Sequence, residues 1–592
     1  MSRDTRAPAV ARGAVVNGAQ SDLFARARTP SAATRSKSPA RSASKRHNMD
    51  ASLPLTAEQM AIVEAAISGE ALAVEAGAGS GKTTTCVAVA RALGKRRGVL
   101  VVYNAIAAQA TKGRLQSTGC EARTLHSIAF RSPLADPIKR GDRLTMALPA
   151  RAAAEAANIR YPQALGTNED HVLSATAQGY LIKDWVDNFC HSADDALGPQ
   201  HFPWGTFRAF SEAWLATEVS KGNDEREVIT KAARDIGGLL EGAARRLWEK
   251  MSGPGDFPSS HDVYLKLYVM SRPRVGKDYL LLDEAQDANP LALQFFNLAR
   301  EQGCQTIAVG DSHQQLYAWR GAVDAMRQIG GHRHLALTQC FRFGPAVAEV
   351  ANRILAIGGS DFRISGAGGP TRVDDDLDAP TAVICRTNAV AIETALRLAD
   401  RGRDPALCLD RMAMLREVDN LERFASTGKS SARRYCAFQS FDELLECINE
   451  LPDVKILWKL AKQHGFAGTR AIIDRLAVGK NQASIEASGR DVTCLTTHAA
   501  KGLEFRRVRL AHDFSPQPNE EKQETEAQWL KRLATSHDDL NIFYVAVTRA
   551  QDALGLGESS IARLLTGRPV FTRPAEREDL EPEDEHDLGR GG

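Results

Sequence analysis

The run Val74–Thr85, VEAGAGSGKTTT, constrains this chain more than any other stretch. A short apolar segment, Leu72 to Glu75, leads into it, and GKTTTCVAVARAL continues from it with a helical pattern opening on glycine. Gly77, Gly79 and Gly81 let the backbone curl so that its N–H groups face a phosphate chain, with Ala76, Ala78, Ser80 and Thr84 filling the loop. Lys82 is placed to reach β and γ phosphates, and the Thr83 hydroxyl suits Mg²⁺. The strict form of this loop has glycine where the chain has Ala76. A strand before and a helix after supply the context such a loop requires.

The same alternation recurs downstream. GVLVVYN, DYLLLDEAQD and TIAVGD read as buried strands, with LTAEQMAIVEAA as a helix capped by Thr56. A second set appears at TAVICRTN, VTCLTTH and VRLAHDF. Apolar strands alternating with helices predict parallel sheets covered on both faces, so the fold class is α/β with two similar cores. Each core carries a mainly helical insertion. The expected division is a basic tail at 1–48, a first core at 49–128 and 273–336 interrupted by a helical insertion at 129–272, and a second core at 337–394 and 489–565 interrupted at 395–488. An acidic tail at 566–592 completes it.

Composition narrows the reading. With 592 residues, the chain is long enough for several domains. No apolar run reaches the roughly 18 residues of a membrane span. Ten cysteines stand singly, with no C-x-x-C pair, which argues against a zinc ribbon or a disulfide frame and fits a reducing compartment. The net charge of +2 averages unlike parts: residues 1–48 hold ten Lys/Arg against Asp4 and Asp22. The remainder, with 65 basic and 71 acidic residues, is not a basic protein. Nucleic acid would have to be met by a local groove rather than by global charge.

Further chemistry follows from spacing. In YLLLDEAQD, Asp283 sits at a strand end where it can hold the water shell of Mg²⁺, and Glu284 beside it can orient and deprotonate an attacking water. Arg342 in CFRFGPAVA and Arg549 in YVAVTRA each lie beside an apolar segment that gives a guanidinium little structural reason. Coming from the second core, they suit charge developing on a transferred phosphoryl group. GDSHQQLYAWRGA, Gly310 to Ala322, offers an amide suited to a phosphate and an indole suited to a flat partner within one segment. A small-molecule phosphotransferase would explain GAGSGKT and the acids but leave YAWRGA, TTHAAKGLEF and VAVTRA unused.

Taken in order, LTAEQMAIVEAA, AGAGSGKT, DEAQD, GDSHQQLYAWRGA, CFR, TTHAAKGLEF and YVAVTRA resemble the superfamily 1 helicases of the UvrD/Rep type. VVYNAIAAQA, TLHSIAF and LWEKMSGPGDFPSSHDVYLKLY bring the resemblance to the F-box DNA helicase group and its bacterial relatives, though no F-box-like segment is found. The likeness runs from about Leu55 to Leu554, and the Ala76 departure is normal for that family. It implies two RecA-like cores, ATP and Mg²⁺ as cofactors, and 3′→5′ movement on single-stranded DNA. By position it implies that Gln59 reads adenine, Phe341 stacks on it, Glu504 meets the ribose and Gly502 lies near the phosphates. Gln314 would sense the γ-phosphate, with Arg342 and Arg549 as arginine fingers. Trp319 would lie under a base, where stacking contributes about 1–3 kcal/mol whatever the base, with Tyr103, His126, Tyr317 and Arg320 along the same track. Expected partners are single-stranded DNA and its junctions with duplex, no membrane, and recombinase or replication proteins. The expected setting is recombination control and repair, in the cytoplasm at the nucleoid of a bacterium or in the nucleus or mitochondrion of a eukaryote. An RNA track, or remodelling of protein–DNA filaments with little unwinding, remains open at this point.

Overall fold

The structure, a computed structural model, describes residues 54–570 apart from 141–142, 146–147, 167–170, 317–324, 431, 437, 439, 515, 520–522 and 569. The basic tail, most of the acidic tail, and the candidate DNA-track residues Tyr317, Trp319 and Arg320 lie outside the described residues.

Two parallel sheets organise the chain. The first is built from β1 (Leu72–Ala76), β2 (Gly98–Val101) and β3 (Cys120–Arg123). A small antiparallel hairpin, β4 (Gln163–Ala164) and β5 (Val172–Leu173), lies in the helical insertion. The first sheet then resumes with β6 (Tyr279–Asp283), β7 (Gln305–Gly310) and β8 (Arg333–Leu337), in the order β3-β2-β6-β7-β1-β8. Every residue of β2 and β6 is buried, as expected of strands covered on both faces. Alternation sorts their side chains: Val99, Leu280 and Ala308 join one hydrophobic core, while Leu100, Leu281 and Ile307 join another.

The first of these cores runs on without a break into the insertion. There the helices Ala175–His191, Trp204–Ser220, Glu225–Ser252 and His261–Met270 pack together. Glu225–Ser252 illustrates why the sequence folds so. Asp224 caps its start, and Ile229, Ala232, Ala233, Ile236, Leu240, Ala243, Ala244 and Leu247 fall on one buried face at helical spacing.

The second half contributes a short parallel ribbon, β9 (Gln339–Cys340) with β10 (Ser365–Gly366), and a seven-stranded parallel sheet. Its strands are β11 (Arg372–Asp374), β12 (Ala382–Cys385), β13 (Pro405–Cys408), β14 (Ala477–Val478), β15 (Val492–Thr496), β16 (Phe505–Leu510) and β17 (Ala550–Gly555). They run in the order β11-β17-β16-β12-β15-β13-β14. Here the structure differs from the expected helical insertion at 395–488, because β13 and β14 fall inside that range and pair into the sheet. Four residues opening on proline, and then two, are too short to carry a strand period. The helical excursion is the chain between them, with helices Arg411–Thr427 and Pro452–Leu476 closing on Leu421, Phe424, Tyr435, Leu444 and Leu457.

No helix among the described residues is long and apolar enough to cross a membrane. What matters for chemistry is that β6, β7 and β1 are neighbours, so the loops leaving their carboxyl ends converge, the usual ligand position in parallel sheets.

Candidate active site

β1 ends at Ala76, and the helix Lys82–Ala92 begins directly after the glycine-rich turn. Gly79 and Gly81 have φ of +69° and +85°, the left-handed region that a side chain disfavours. Space is equally decisive. A Cβ on Gly79 would stand 2.8 Å from Arg342 Cβ and 2.9 Å from Cys340 Sγ, and one on Gly77 would run into Ile364. The second half of the chain thus lies directly against the loop. Phe341 N donates to Gly79 O at 3.0 Å, and Ala78 N donates to the Tyr544 hydroxyl at 3.3 Å. Lys82 is buried with its Nζ turned back to Ala76 O at 3.4 Å. Ser80 Oγ is buried and hydrogen-bonds none of the described residues. Thr84 accepts a hydrogen bond from Arg114 at 3.1 Å.

Across from the loop, Thr83 Oγ1 donates to Asp283 Oδ2 at 2.6 Å. Burial, then the charge of Glu284, pushes the Asp283 carboxyl up to about 6. Burial acts the same way on Glu284, but Lys82, Lys501 and the Gln286 amide outweigh it and hold that carboxyl below its usual range. Glu284 also has φ +54°, a strained conformation for a residue with a side chain and one that gathers at functional sites.

From β7, Asp311 is fully buried and accepts from Gln314 Nε2 at 2.5 Å. Gln314 Oε1 in turn accepts from Arg549 Nη2 at 3.4 Å, so a side chain of the first half meets an arginine of the second. Arg549 is 1% exposed and also donates from Nε to Val545 O at 3.0 Å. Burial, then the like charge of Arg342, pushes its pKa down to about 9. Arg342 donates to Glu504 Oε2 at 3.0 Å and to Thr548 O at 3.1 Å. Glu504 therefore holds Arg342 here. Phe341 is 38% exposed beside the loop, and Gly502 has φ +80°. Gln59 is buried, its Oε1 accepting from Thr56 N at 3.1 Å and its Nε2 donating to Thr85 Oγ1 at 3.3 Å in the loop helix.

The structure brings Lys82, Thr83, Asp283, Glu284, Gln314 and Arg549 into one connected cluster, with Arg342 and Gln59 at its edges. Sequence reasoning passed over Gln286, Asp287, Asp311, Lys501 and Tyr544. Lys501 Nζ bridges Asp287 at 2.6 Å and Gln314 O at 2.8 Å, a second tie between the two halves. Burial, partly offset by Lys501, raises Asp287 to about 6. The only available signal was position: each of these lies inside a motif already marked for other residues. Of the described DNA-track candidates, Tyr103 is half-exposed just past β2. His126 is tied to Asp262 of the insertion at 3.0 Å.

An AAA domain model matches residues 59–320, and a UvrD-like helicase C-terminal domain model matches residues 409–560. Together these matches and the relatives below support a UvrD-like superfamily 1 helicase. This UvrD-like chain is 27% identical over 533 residues to F-box DNA helicase 1 of Gallus gallus, covering 85% of the chain and 49% of that protein. It is 26% identical over 545 residues to F-box DNA helicase protein 1 of Schizosaccharomyces pombe, covering 85% of the chain and 57% of that protein. DNA helicase IV of Escherichia coli matches at 25% over 339 residues, 49% of the chain and 46% of that protein. The chain spans about half the length of the curated relatives it matches.

Proposed function

We propose that the chain is an ATP-dependent DNA helicase or translocase that moves 3′→5′ on single strands. The observation that carries this reading is the Gln314–Arg549 contact, which joins the loop after β7 to an arginine of the second half at the edge of the glycine-rich turn. The site fits a magnesium–nucleotide. A left-handed glycine cradle, the buried Ser80 hydroxyl, Lys82 and the Thr83–Asp283 pair form a donor set suited to phosphate and a divalent cation. Loop amides from Gly77 to Thr84 with Lys82 would hold the phosphates, Thr83 and Asp283 the cation, and Gln59 and Phe341 the base. When bound, ATP supplies the free energy of phosphoryl transfer to water. Glu284 orients and deprotonates that water, Arg342 and Arg549 stabilise developing charge, and Gln314 ties the chemistry to the segment that continues toward Trp319. Closing and reopening of the two halves would alternate the grip on the strand.

The relatives' names speak of DNA helicases, and the single-stranded track, polarity, junction preference and a place in recombination control and repair rest on family resemblance. A nucleoid, nuclear or mitochondrial setting follows from a DNA substrate. The test is ATP hydrolysis by the intact chain with and without single-stranded DNA, beside Lys82→Ala and Trp319→Ala. The expected result is strong stimulation by DNA, its loss in Trp319→Ala, and turnover lowered about 10²–10³-fold in Lys82→Ala. Stimulation by RNA alone would move the track to RNA. Stimulation by DNA without unwinding of either polarity of partial duplex would favour removal of bound proteins. Turnover indifferent to nucleic acid would refute the motor.

A further inference from the structure

Gln286, the fourth residue of DEAQD, touches neither the cation position nor the glycine-rich turn. Its side chain is fully buried, and both ends of its amide are used. Nε2 donates to Glu284 Oε2 at 2.7 Å, and Oε1 accepts from Asp311 N at 2.9 Å. Its backbone carbonyl accepts from Gln315 Nε2 at 3.2 Å. Continuing from Asp311, the carboxylate takes Gln314 Nε2, and Gln314 takes Arg549. One hydrogen-bonded path therefore runs from the carboxylate beside the cation position to the arginine of the opposite half, and Gln286 is its first link.

Gly310 gives an independent sign that this amide has a prescribed place. Its φ is not left-handed, so the backbone alone does not demand glycine there. A Cβ at that position, however, would stand 2.8 Å from Gln286 Oε1 and 3.1 Å from Gln286 N. The glycine leaves room for the amide. Glu284 needs such a holder because it sits at a strained turn, where its own backbone does little to fix a long, rotatable side chain.

We propose that Gln286 is a positioning residue that fixes the Glu284 carboxylate and couples its orientation to the 310–314 segment carrying Gln314. This rests on the reading of Glu284 as the group that activates water. A buried amide that merely satisfied its neighbours would matter for folding and leave turnover of the folded protein alone.

The experiment measures steady-state ATP hydrolysis by the full chain with single-stranded DNA, the affinity for a fluorescent ATP analogue, and the melting temperature. The variants are Gln286→Met, Gln286→Glu, Gly310→Ala and Glu284→Gln. Gln286→Met keeps shape and removes both hydrogen bonds; kcat should fall roughly 10²-fold, as for a misplaced catalytic group. KM and analogue affinity should stay within about twofold, a split that a loosened fold does not produce. Gln286→Glu sets carboxylate against carboxylate and should fall at least as far. Gly310→Ala would press first on the far end of the amide, at 2.8 Å, with Gln286 N and Met326 Sδ each at 3.1 Å, and should lower kcat in the same sense by less. A folded Gln286→Met with kcat within about threefold of the parent overturns the proposal while Glu284→Gln is inactive. Should Gln286→Met not fold, Gly310→Ala decides, and unchanged kcat there overturns it equally. If Glu284→Gln itself turns over normally, the water-activating role fails, and the positioning role falls with it.

Discussion

The two parallel sheets of this chain are alike in scaffold and unlike in what they place at their strand ends. The first gathers a glycine-rich turn after β1, carboxylates after β6 and an amide after β7 on neighbouring strands. Among the described residues the second has no such turn at the cluster; it contributes Lys501, Tyr544 and Arg549, each hydrogen-bonded to the first, and Arg342, whose Cβ lies against Gly79 while its guanidinium bonds within the second half. On the function proposed above, one half would hold the nucleotide and the other complete its surroundings. Function resides in the strand-end residues, and the sheets supply rigidity.

That division makes distinct demands on mutants. Arg549→Ala should lower DNA-stimulated turnover by roughly 10³–10⁵-fold, the range for an arginine finger, while nucleotide affinity changes little. Single-turnover hydrolysis and analogue titration separate the two. Arg549→Lys should recover only part of the loss, because an ammonium cannot make the forked contacts to Gln314, Thr548 and Leu503. Weak nucleotide binding in either variant would erase the distinction between the halves. Lys82→Ala is the counterpart in the first half. It should cost about 10²–10³-fold in turnover and weaken nucleotide binding as well, measured in the same two assays.

The halves also differ in electrostatic strain. Among the described residues, the carboxyls raised above their usual range are Glu75, Asp187, Asp283 and Asp287, all in the first half. A carboxyl at about 6 when folded, against an ordinary value of 3.8, binds its proton more tightly in the folded state. Its stabilising share is complete below the ordinary value and is lost as pH rises through about 6. At neutral pH the ionised, buried Asp283 therefore costs stability. Asp283→Asn should raise stability at pH 7.5 by on the order of 1–3 kcal/mol while abolishing turnover, and the gain should shrink toward pH 4. Melting curves at the two pH values check it, and an equal gain at both would mean the strain is not electrostatic.

The elements that sequence reasoning located are those whose chemistry is local. A glycine-rich turn between strand and helix, an acid pair ending YLLL, and the Thr56 cap each declare themselves within about ten residues. What it misplaced or missed depends on meeting in space. β13 opens on Pro405 and is too short to show alternation, so its membership in the sheet appears only through its pairing with β15. Gln286, Asp311 and Lys501 look like ordinary polar residues of their motifs until the loops after β6 and β7 approach each other and the second half closes on them. Hydrogen-bond partners 25 to 214 positions apart leave no periodic trace.

The smallest expected effect sharpens the comparison most finely, because each half enters a helix through a threonine cap. Thr56 Oγ1 accepts from Gln59 N at 3.1 Å, and Thr387 Oγ1 accepts from Val390 N at 3.3 Å. Losing either cap should cost about 1 kcal/mol, read as a melting temperature lower by a few degrees. Their surroundings then part company. Thr387 is bound to Asp513 through both its N–H and its hydroxyl, a contact internal to the second half. Thr56 shares a capping box with Gln59, and Gln59 reaches on to Thr85 in the helix that follows the glycine-rich turn. Thr56→Ala keeps the backbone bond to Gln59 but frees the other side of the box, loosening a residue that faces the candidate base position. It should raise KM for ATP by about two- to threefold, whereas Thr387→Ala should leave KM unchanged at the same loss of stability. Matching KM changes in both variants would mean that nucleotide binding depends on the stability of the whole chain rather than on the first half, and the division of labour between the two sheets would not hold at this level.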